Sequence, residues 1–165
     1  MPTPFAYVSL GSNLGDSRRL LPEAMGRLQQ FSDEPVIRSA LWQTKPVDCP
    51  PGSPVFINAV AGLRTRAGET PESLLSKLRG LEVEFGRQPN QVLNEPRILD
   101  LDLICFGVET RRSEALILPH PRAHLRKFVL QPLGEIAPEL VLPGQTRCIR
   151  QLLGDLPADQ VIIKL

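Results

Sequence analysis

Two carboxylates separated by one leucine stand in Arg97-Ile98-Leu99-Asp100-Leu101-Asp102-Leu103-Ile104-Cys105-Phe106-Gly107. In an extended segment side chains alternate between faces, so Asp100 and Asp102 share one face while Leu99, Leu101, Leu103 and Cys105 take the other. Asp is a poor strand former, and like charges two positions apart repel unless something cationic sits between them. Mg²⁺ answers that need, because it takes hard oxygen ligands, often one or two carboxylates completed by water and substrate phosphate. Two solvated acids on an open strand face would give the same pattern. The acid face continues into Ile104 and Phe106, however, which is not the composition of a plain solvent face.

Cations flank this pair. Arg87 and Arg97 bracket an irregular stretch before it, and His120, His124 and Arg126 follow in Pro119-His120-Pro121-Arg122-Ala123-His124-Leu125-Arg126-Lys127-Phe128. Positive groups on both sides of a carboxylate pair suit a metal-bound polyphosphate, although any one of these arginines taken alone reads as ordinary surface. His120 lies between two prolines, which hold it rigidly and modestly favour a positioned donor over a mobile surface histidine. Phe56 and Asn58 share a strand face by the period of two. An aromatic plus an amide is what a flat heterocycle with a hydrogen-bonding edge requires. A core Phe56 with a turn residue at Asn58 fits the spacing equally well. The chain contains no GxxxxGK[ST], GxGxxG, HExxH or GxSxG, so P-loop, dinucleotide-fold, zincin and hydrolase-elbow chemistry are unsupported.

The elements that must position these groups can be read from the prolines, 17 in 165 residues, roughly twice the usual share of about 5%. Proline falls mostly in loops, turns and first turns of helices, so the proline-free gaps are expected to hold the regular elements. Phe5 to Leu10 reads as a strand, stopped by Gly11-Ser12-Asn13-Leu14-Gly15-Asp16 and followed by a helical pattern through Leu20, Leu21, Ala24, Met25, Leu28 and Phe31. Pro22 requires that helix to begin late or to kink. Val36–Trp42 and Val55–Leu63 read as two further strands, joined by a stiff connector with four prolines. Thr70-Pro71-Glu72 supplies an N-cap, a first-turn proline and an early acid. Leu74, Leu78, Leu81 and Phe85 then form one face, and Gly86 can end the helix. The aspartate strand comes next, and from Pro119 the tail adds a short helix or loop and a final strand at Val161–Ile163. Strand-helix, two strands, helix, strand is the order of a ferredoxin-like α+β sandwich, an antiparallel sheet with helices on one face, here as a single domain over 1–165.

Composition agrees with a cytoplasmic protein that handles small molecules. The 19 Lys+Arg against 18 Asp+Glu leave a formal charge of +1, too balanced for a surface that lives on nucleic acid or anionic membrane. Three widely spaced cysteines, Cys49, Cys105 and Cys148, read as reduced thiols, and with no basic n-region or 18-residue apolar run neither a signal peptide nor a membrane span is expected.

Taken together, Tyr7-Val8-Ser9-Leu10-Gly11-Ser12-Asn13-Leu14-Gly15-Asp16, Phe56-Ile57-Asn58-Ala59-Val60, Glu82 through Gly86-Arg87, Pro96-Arg97-Ile98-Leu99-Asp100-Leu101-Asp102-Leu103, and Leu118-Pro119-His120-Pro121 with Phe128-Val129-Leu130 resemble the 6-hydroxymethyl-7,8-dihydropterin pyrophosphokinase family of folate biosynthesis. The resemblance runs in order from about residue 5 to 142. It implies transfer of pyrophosphate from ATP to the hydroxymethyl oxygen of the pterin, with release of AMP. By the same resemblance Asp100 and Asp102 would hold two Mg²⁺ ions. Glu82, Arg87, Arg97, His120 and Arg126 would serve the nucleotide, with Arg87 and Arg97 catalytic. Phe56 and Phe128 would sandwich the pterin, Asn58 would read its edge, and Thr44, Lys45 and Val47 would add backbone contacts. Arg87 to Arg97 would form a lid, and proteins of this family are often monomeric. Two positions depart from the family pattern: Asn94 stands where many members have tryptophan, and Pro89 where many have a second lid arginine.

Two other classes compete with this reading. A ferredoxin-like RNA-binding or ligand-binding module has little support from the charge of +1 and no use for the acid pair. A two-metal phosphohydrolase would use the acids but not an aromatic sandwich.

Overall fold

The first strand shows why the chain folds as it does. In β1, Phe5–Ser12, the residues Ala6, Val8 and Leu10 point to one face and are fully buried, while Tyr7, Ser9 and Gly11 point to the other. The protein is seen here as a computed structural model that describes residues 3–13, 15–44, 55–86 and 98–165. After β1 come α1 (Ser17–Arg27), β2 (Ile37–Arg38), β3 (Trp42–Thr44), β4 (Phe56–Arg64), α2 (Pro71–Glu84) and β5 (Asp100–Phe106). A small hairpin, β6 (Arg111–Arg112) with β7 (Ile117–Leu118), precedes α3 (Lys127–Ile136), α4 (Ile149–Asp155) and β8 (Ile162–Lys164).

The main sheet runs β5-β1-β4-β3-β8, with β2 also beside β4, and every described pairing is antiparallel. The order β1-α1-β2/β3-β4-α2-β5 with β1 and β4 central is the ferredoxin-like arrangement. The expected strand Val36–Trp42 is two strands. Arg38 pairs with Ala61 and Trp42 with Asn58, so this side has one residue more than its partner between the two pairings. Ser39 occupies that bulge: its N–H donates to the Val60 carbonyl and its Oγ accepts from the Val60 N–H.

Helix α1 starts at Ser17, well before Pro22, rather than late. Proline there removes the bond to the Arg18 carbonyl, but both residues lie on the solvent side, where water can serve that oxygen. The apolar stripe Leu21, Ala24, Met25 and Leu28 decides the outcome. Helix α2 forms as its sequence dictates. The Thr70 hydroxyl accepts from Ser73 N–H, the Ser73 hydroxyl accepts from Thr70 N–H, Pro71 opens the helix, and Gly86 takes φ 98° just beyond it.

The helices cover both faces of the sheet, not one. Helices α1 and α2 pack on Ala6, Val8, Leu10, Ile57, Ala59, Ala61 and Leu63. On the opposite face α3 and α4 bury Val129, Leu130, Leu133, Ile149 and Leu152 against Val60, Ile104 and Cys105. The tail thus supplies a second layer in place of the expected short helix or loop. Burying five large side chains at about 1.5 to 3 kcal/mol each outweighs the hydrogen bond that Pro132 removes inside α3.

Candidate active site

Asp100 and Asp102 lie on the α3 face of β5 and are both partly buried. Their neighbours on β1 are Gly11 and Ser9. Beyond them the strand alternation breaks. Tyr7 pairs with Cys105 and Val8 with Leu103, which leaves Ile104 as an extra residue. The bulge sends Ile104 and Cys105 to the aspartate face and Phe106 to the opposite core, the reverse of the simple period-two expectation for Cys105 and Phe106. Burial, then the charge of Asp100, pushes the Asp102 carboxyl up to about 6; Arg79 and Arg126 oppose the rise and Glu82 adds to it.

The loop after β7 closes one side of this acid pair. His120 N–H donates to the carbonyl of the bulged Ile104 at 2.8 Å, which ties the loop to β5. Its Nδ1 accepts from Arg122 N–H at 3.1 Å, so the neutral ring carries its proton on Nε2. Burial lowers the imidazole's pKa, and Arg126 and Arg122 lower it further against the opposing effect of Asp100, so the ring is neutral at pH 7. A 3₁₀ turn, Ala123–Leu125, leads to Arg126, whose guanidinium carbon stands 5.4 Å from the centroid of the Phe128 ring. Burial and Arg122 lower the Arg126 pKa, while Asp102 and Asp100 raise it; the group stays cationic. Ser9, Asp102, Ile104 and His120 line a cleft completed by Ala123, Arg126, Phe128 and Val129.

On the other side of β1 lies the amide. Asn58 of β4 is 4% exposed and its Nδ2 donates to Thr44 Oγ1 at 3.1 Å, which leaves Oδ1 facing Gly11. A Cβ on Gly11 would stand 3.3 Å from that oxygen, so glycine preserves the space. Gly11 pairs with Asn58 on one side and with Asp100 on the other. Two strand spacings, about 10 Å, therefore separate the amide from the acid. Phe56 follows the Asn58 face and is partly exposed.

The structure thus brings together Thr44, Phe56, Asn58, Asp100, Asp102, His120, Arg126 and Phe128 on one face of the sheet. Lys45, Val47, Arg87 and Arg97 lie outside the described residues, as does the expected lid. Glu82 is elsewhere: fully buried on α2, it accepts from the main-chain N–H of Leu101 at 2.8 Å and from Arg79 Nη1 at 2.9 Å. Sequence reasoning missed Ser9 and Arg79. Ser9 carried a weak signal, a hydroxyl beside Gly11 in an otherwise apolar strand, and Arg79 stands three residues before Glu82 on the same helix.

The donor set fits magnesium. Two hard carboxylates share a recess where burial makes their joint ionisation unfavourable, and a divalent cation would relieve that cost. Among the described residues no group of three or more His, Cys, Asp and Glu gathers as a transition-metal site would require, so water and substrate oxygens would complete the shell.

Comparison with known proteins agrees with this geometry. Residues 7–138 match the model of the family described as 7,8-dihydro-6-hydroxymethylpterin-pyrophosphokinase (HPPK). The 2-amino-4-hydroxy-6-hydroxymethyldihydropteridine pyrophosphokinase of Haemophilus influenzae is 38% identical over 97% of this chain and 97% of its own length. The enzyme of the same description from Pseudomonas aeruginosa is 35% identical over 94% and 93%. The folic acid synthesis protein fol1 of Pneumocystis carinii is 38% identical, but the match spans only 18% of it. In fold, the HPPK-DHPS of Plasmodium falciparum superposes with a TM-score of 0.71 at 15% identity, over 92% of this chain and 43% of that one. A match over most of the sequence and full-length relatives above 30% identity, with an acid pair one strand away from a buried amide, have one reading: the chain belongs to the 7,8-dihydro-6-hydroxymethylpterin-pyrophosphokinase family.

Proposed function

We propose that the chain transfers pyrophosphate from ATP to the hydroxymethyl oxygen of 6-hydroxymethyl-7,8-dihydropterin, releasing AMP, with Asp100 and Asp102 holding two Mg²⁺ ions. The observation that carries this reading is the desolvated acid pair on β5, flanked by Arg126 and His120 and separated by one strand from the buried Asn58. Bound magnesium would offset the triphosphate charge and orient the β-phosphorus for in-line attack. Arg126 draws the phosphates to the acid pair, with Arg87 and Arg97 as further cations on them. Neutral His120 presents Nε2–H as a donor to a phosphate oxygen. A positive ring would keep that donor, but burial disfavours its charge and Arg126 and Arg122 add a Coulombic cost, which is why the neutral form is the one that serves.

On the pterin side, Asn58 has its amide nitrogen committed to Thr44, so its Oδ1 is set to accept from a ring N–H. Phe56 and Phe128 stack on the two faces of the bicycle, and the main chain from Thr44 through Lys45 to Val47 borders it. The aromatic pair excludes water from the attacking oxygen, and the strand framework fixes its distance from the phosphates. No helix among the described residues is long and apolar enough to cross a membrane. Buried free thiols at Cys105 and Cys148 suit the reducing cytoplasm, where we place the enzyme as a monomer.

The test is to supply ATP, Mg²⁺ and 6-hydroxymethyl-7,8-dihydropterin and separate the nucleotide products. AMP and pterin diphosphate in equal amounts, absent when either pterin or metal is omitted, are expected. ADP in place of AMP would mean single phosphoryl transfer, and inorganic phosphate without modified pterin would mean hydrolysis. Either result would overturn the proposal.

A further inference from the structure

Among the described strands β5 lies at the edge of the sheet, paired with β1 on one side only. An edge strand leaves the main-chain groups of every second residue facing outward. At Leu101 both outward groups are taken by one turn of α2: the N–H donates to Glu82 Oε2 at 2.8 Å, and the carbonyl accepts from Arg79 Nη1 at 2.7 Å. The same Nη1 donates to Glu82 Oε1 at 2.9 Å, so the two side chains brace each other. Two side chains thus reproduce the donor and acceptor that a neighbouring strand would offer. Glu82 is 0% exposed, and a carboxylate is buried at a cost of several kcal/mol unless it is bonded and paired.

The gripped residue is the one between the two acids. Asp100 and Asp102 are each one peptide, about 3.8 Å, from Leu101. The Leu101 side chain is itself fully buried in the core with α2. Three residues on, the Ile104 bulge interrupts the ladder with β1, so pairing with that strand holds this end of β5 less continuously. A fixed point at Leu101 therefore sets where both carboxylates stand, and metal ligands must be held to within about half an ångström.

We infer that Glu82, braced by Arg79, is a positioning residue for the Asp100–Asp102 pair, acting through the main chain of Leu101 and without contact to the reacting atoms. The inference rests on the acid pair holding magnesium, as proposed above. Its consequence is that loss of the clamp loosens cation binding and slows turnover while leaving the pterin pocket, two strands away, as it was.

The experiment compares wild type with Glu82→Gln, which keeps the shape and removes the buried charge, and with Arg79→Met, which removes the half-exposed guanidinium that braces it. In metal-free, ligand-free protein, amide exchange at Leu101 should accelerate at least tenfold in both variants, with the central β4 amides unchanged. Mn²⁺ titrated alone should bind at least fivefold more weakly. In turnover, kcat should fall about tenfold with the pterin KM changed less than twofold. Placed in an Asp102→Asn background, Glu82→Gln should have almost no further effect on nucleotide affinity. An undiminished effect in that background would mean direct contact with the nucleotide and would overturn the inference. So would unchanged Leu101 exchange, or pterin and metal affinities that fall in parallel with melting temperature. Wild-type protein that neither binds Mn²⁺ nor releases AMP would instead defeat the proposed function, while the exchange measurement would still decide whether the clamp exists.

Discussion

Replacing Asp102 with Asn should make the metal-free protein more stable while removing its activity. Asp102 ionises at about 6 in the fold, against an ordinary 3.8. A group whose pKa is raised by folding contributes its stability at low pH and loses it as the pH rises through the folded value. The wild-type penalty is therefore absent below about pH 4, grows between about 4 and 6, and is complete above about 6. Its full size is about 3 kcal/mol, from a gap of about two pH units at 1.36 kcal/mol each. Asparagine keeps the shape and drops the charge. In a chain of 165 residues, where 1 kcal/mol is worth about 2 to 4 °C, the variant should melt about 6 to 12 °C above wild type at pH 7.5 in EDTA. The two should converge near pH 4. Saturating Mg²⁺ with a non-hydrolysable ATP analogue should reverse the order, because at a thousandfold excess over Kd wild type gains about 4.1 kcal/mol, more than the penalty, and the variant gains little. Turnover should fall about a hundredfold or more. Thermal unfolding from pH 4 to 8 with and without the ligands, followed by AMP release, checks each part. A stability gap that does not widen with pH, or near-normal turnover at saturating Mg²⁺, would refute the reasoning.

Arg126→Ala should lower kcat by about 2 to 4 kcal/mol of transition-state stabilisation with a smaller change in pterin KM, measured by steady-state AMP release. If pterin affinity fell and turnover at saturation did not, Arg126 would belong to the pterin pocket through its contact with Phe128. Gly11→Ala should leave the fold intact within about 1 kcal/mol yet raise the pterin KM severalfold, because the new methyl stands 3.3 Å from Asn58 Oδ1. An unchanged KM would show that Asn58 does not read the ring. Cys105, 1% exposed and pushed up to about 12 by burial, should resist iodoacetamide at pH 8 until urea unfolds the chain. Peptide mass mapping that finds native Cys105 alkylated within minutes would contradict its placement beneath Tyr7 and α3.

What could be read from the residues in advance was what local chemistry decides. Thr70, Pro71 and Glu72 carry their helix start within three positions, and the chain caps there, with Ser73 completing the box. The period of two put Asp100 with Asp102 because no partner strand is needed to know it. The same rule failed three residues later, at Cys105, since a bulge is a count of residues on two strands at once, and nothing in Ile104-Cys105-Phe106 alone reports that Val8 faces Leu103 while Tyr7 faces Cys105. Proline misled in the other direction. Pro22 argues for a late or kinked helix, yet it and Pro132 each sit inside a helix whose apolar side chains recover more than one lost hydrogen bond. The second helical layer on the α3 face was hidden for that reason, and with it the wall that desolvates Asp102.

The site's geometry is set by the pairing of β1 more than by any single motif. Its glycine stands between Asp100 and Asn58, and its Ser9 between Asp102 and Val60, so one strand spaces the acid pair from the buried amide. A residue with a side chain at Gly11 would crowd the amide, and a shift of one residue in β1 would turn Val8 or Leu10 into the cleft and bury the serine. Register is protected against that slip by the fully buried row Ala6, Val8 and Leu10 on the opposite face, whose removal from water outweighs any local preference of the loop that follows. Gly11 is thus held in place by apolar residues on the far face of its strand, and the distance between the acid pair and the amide is a property of the core.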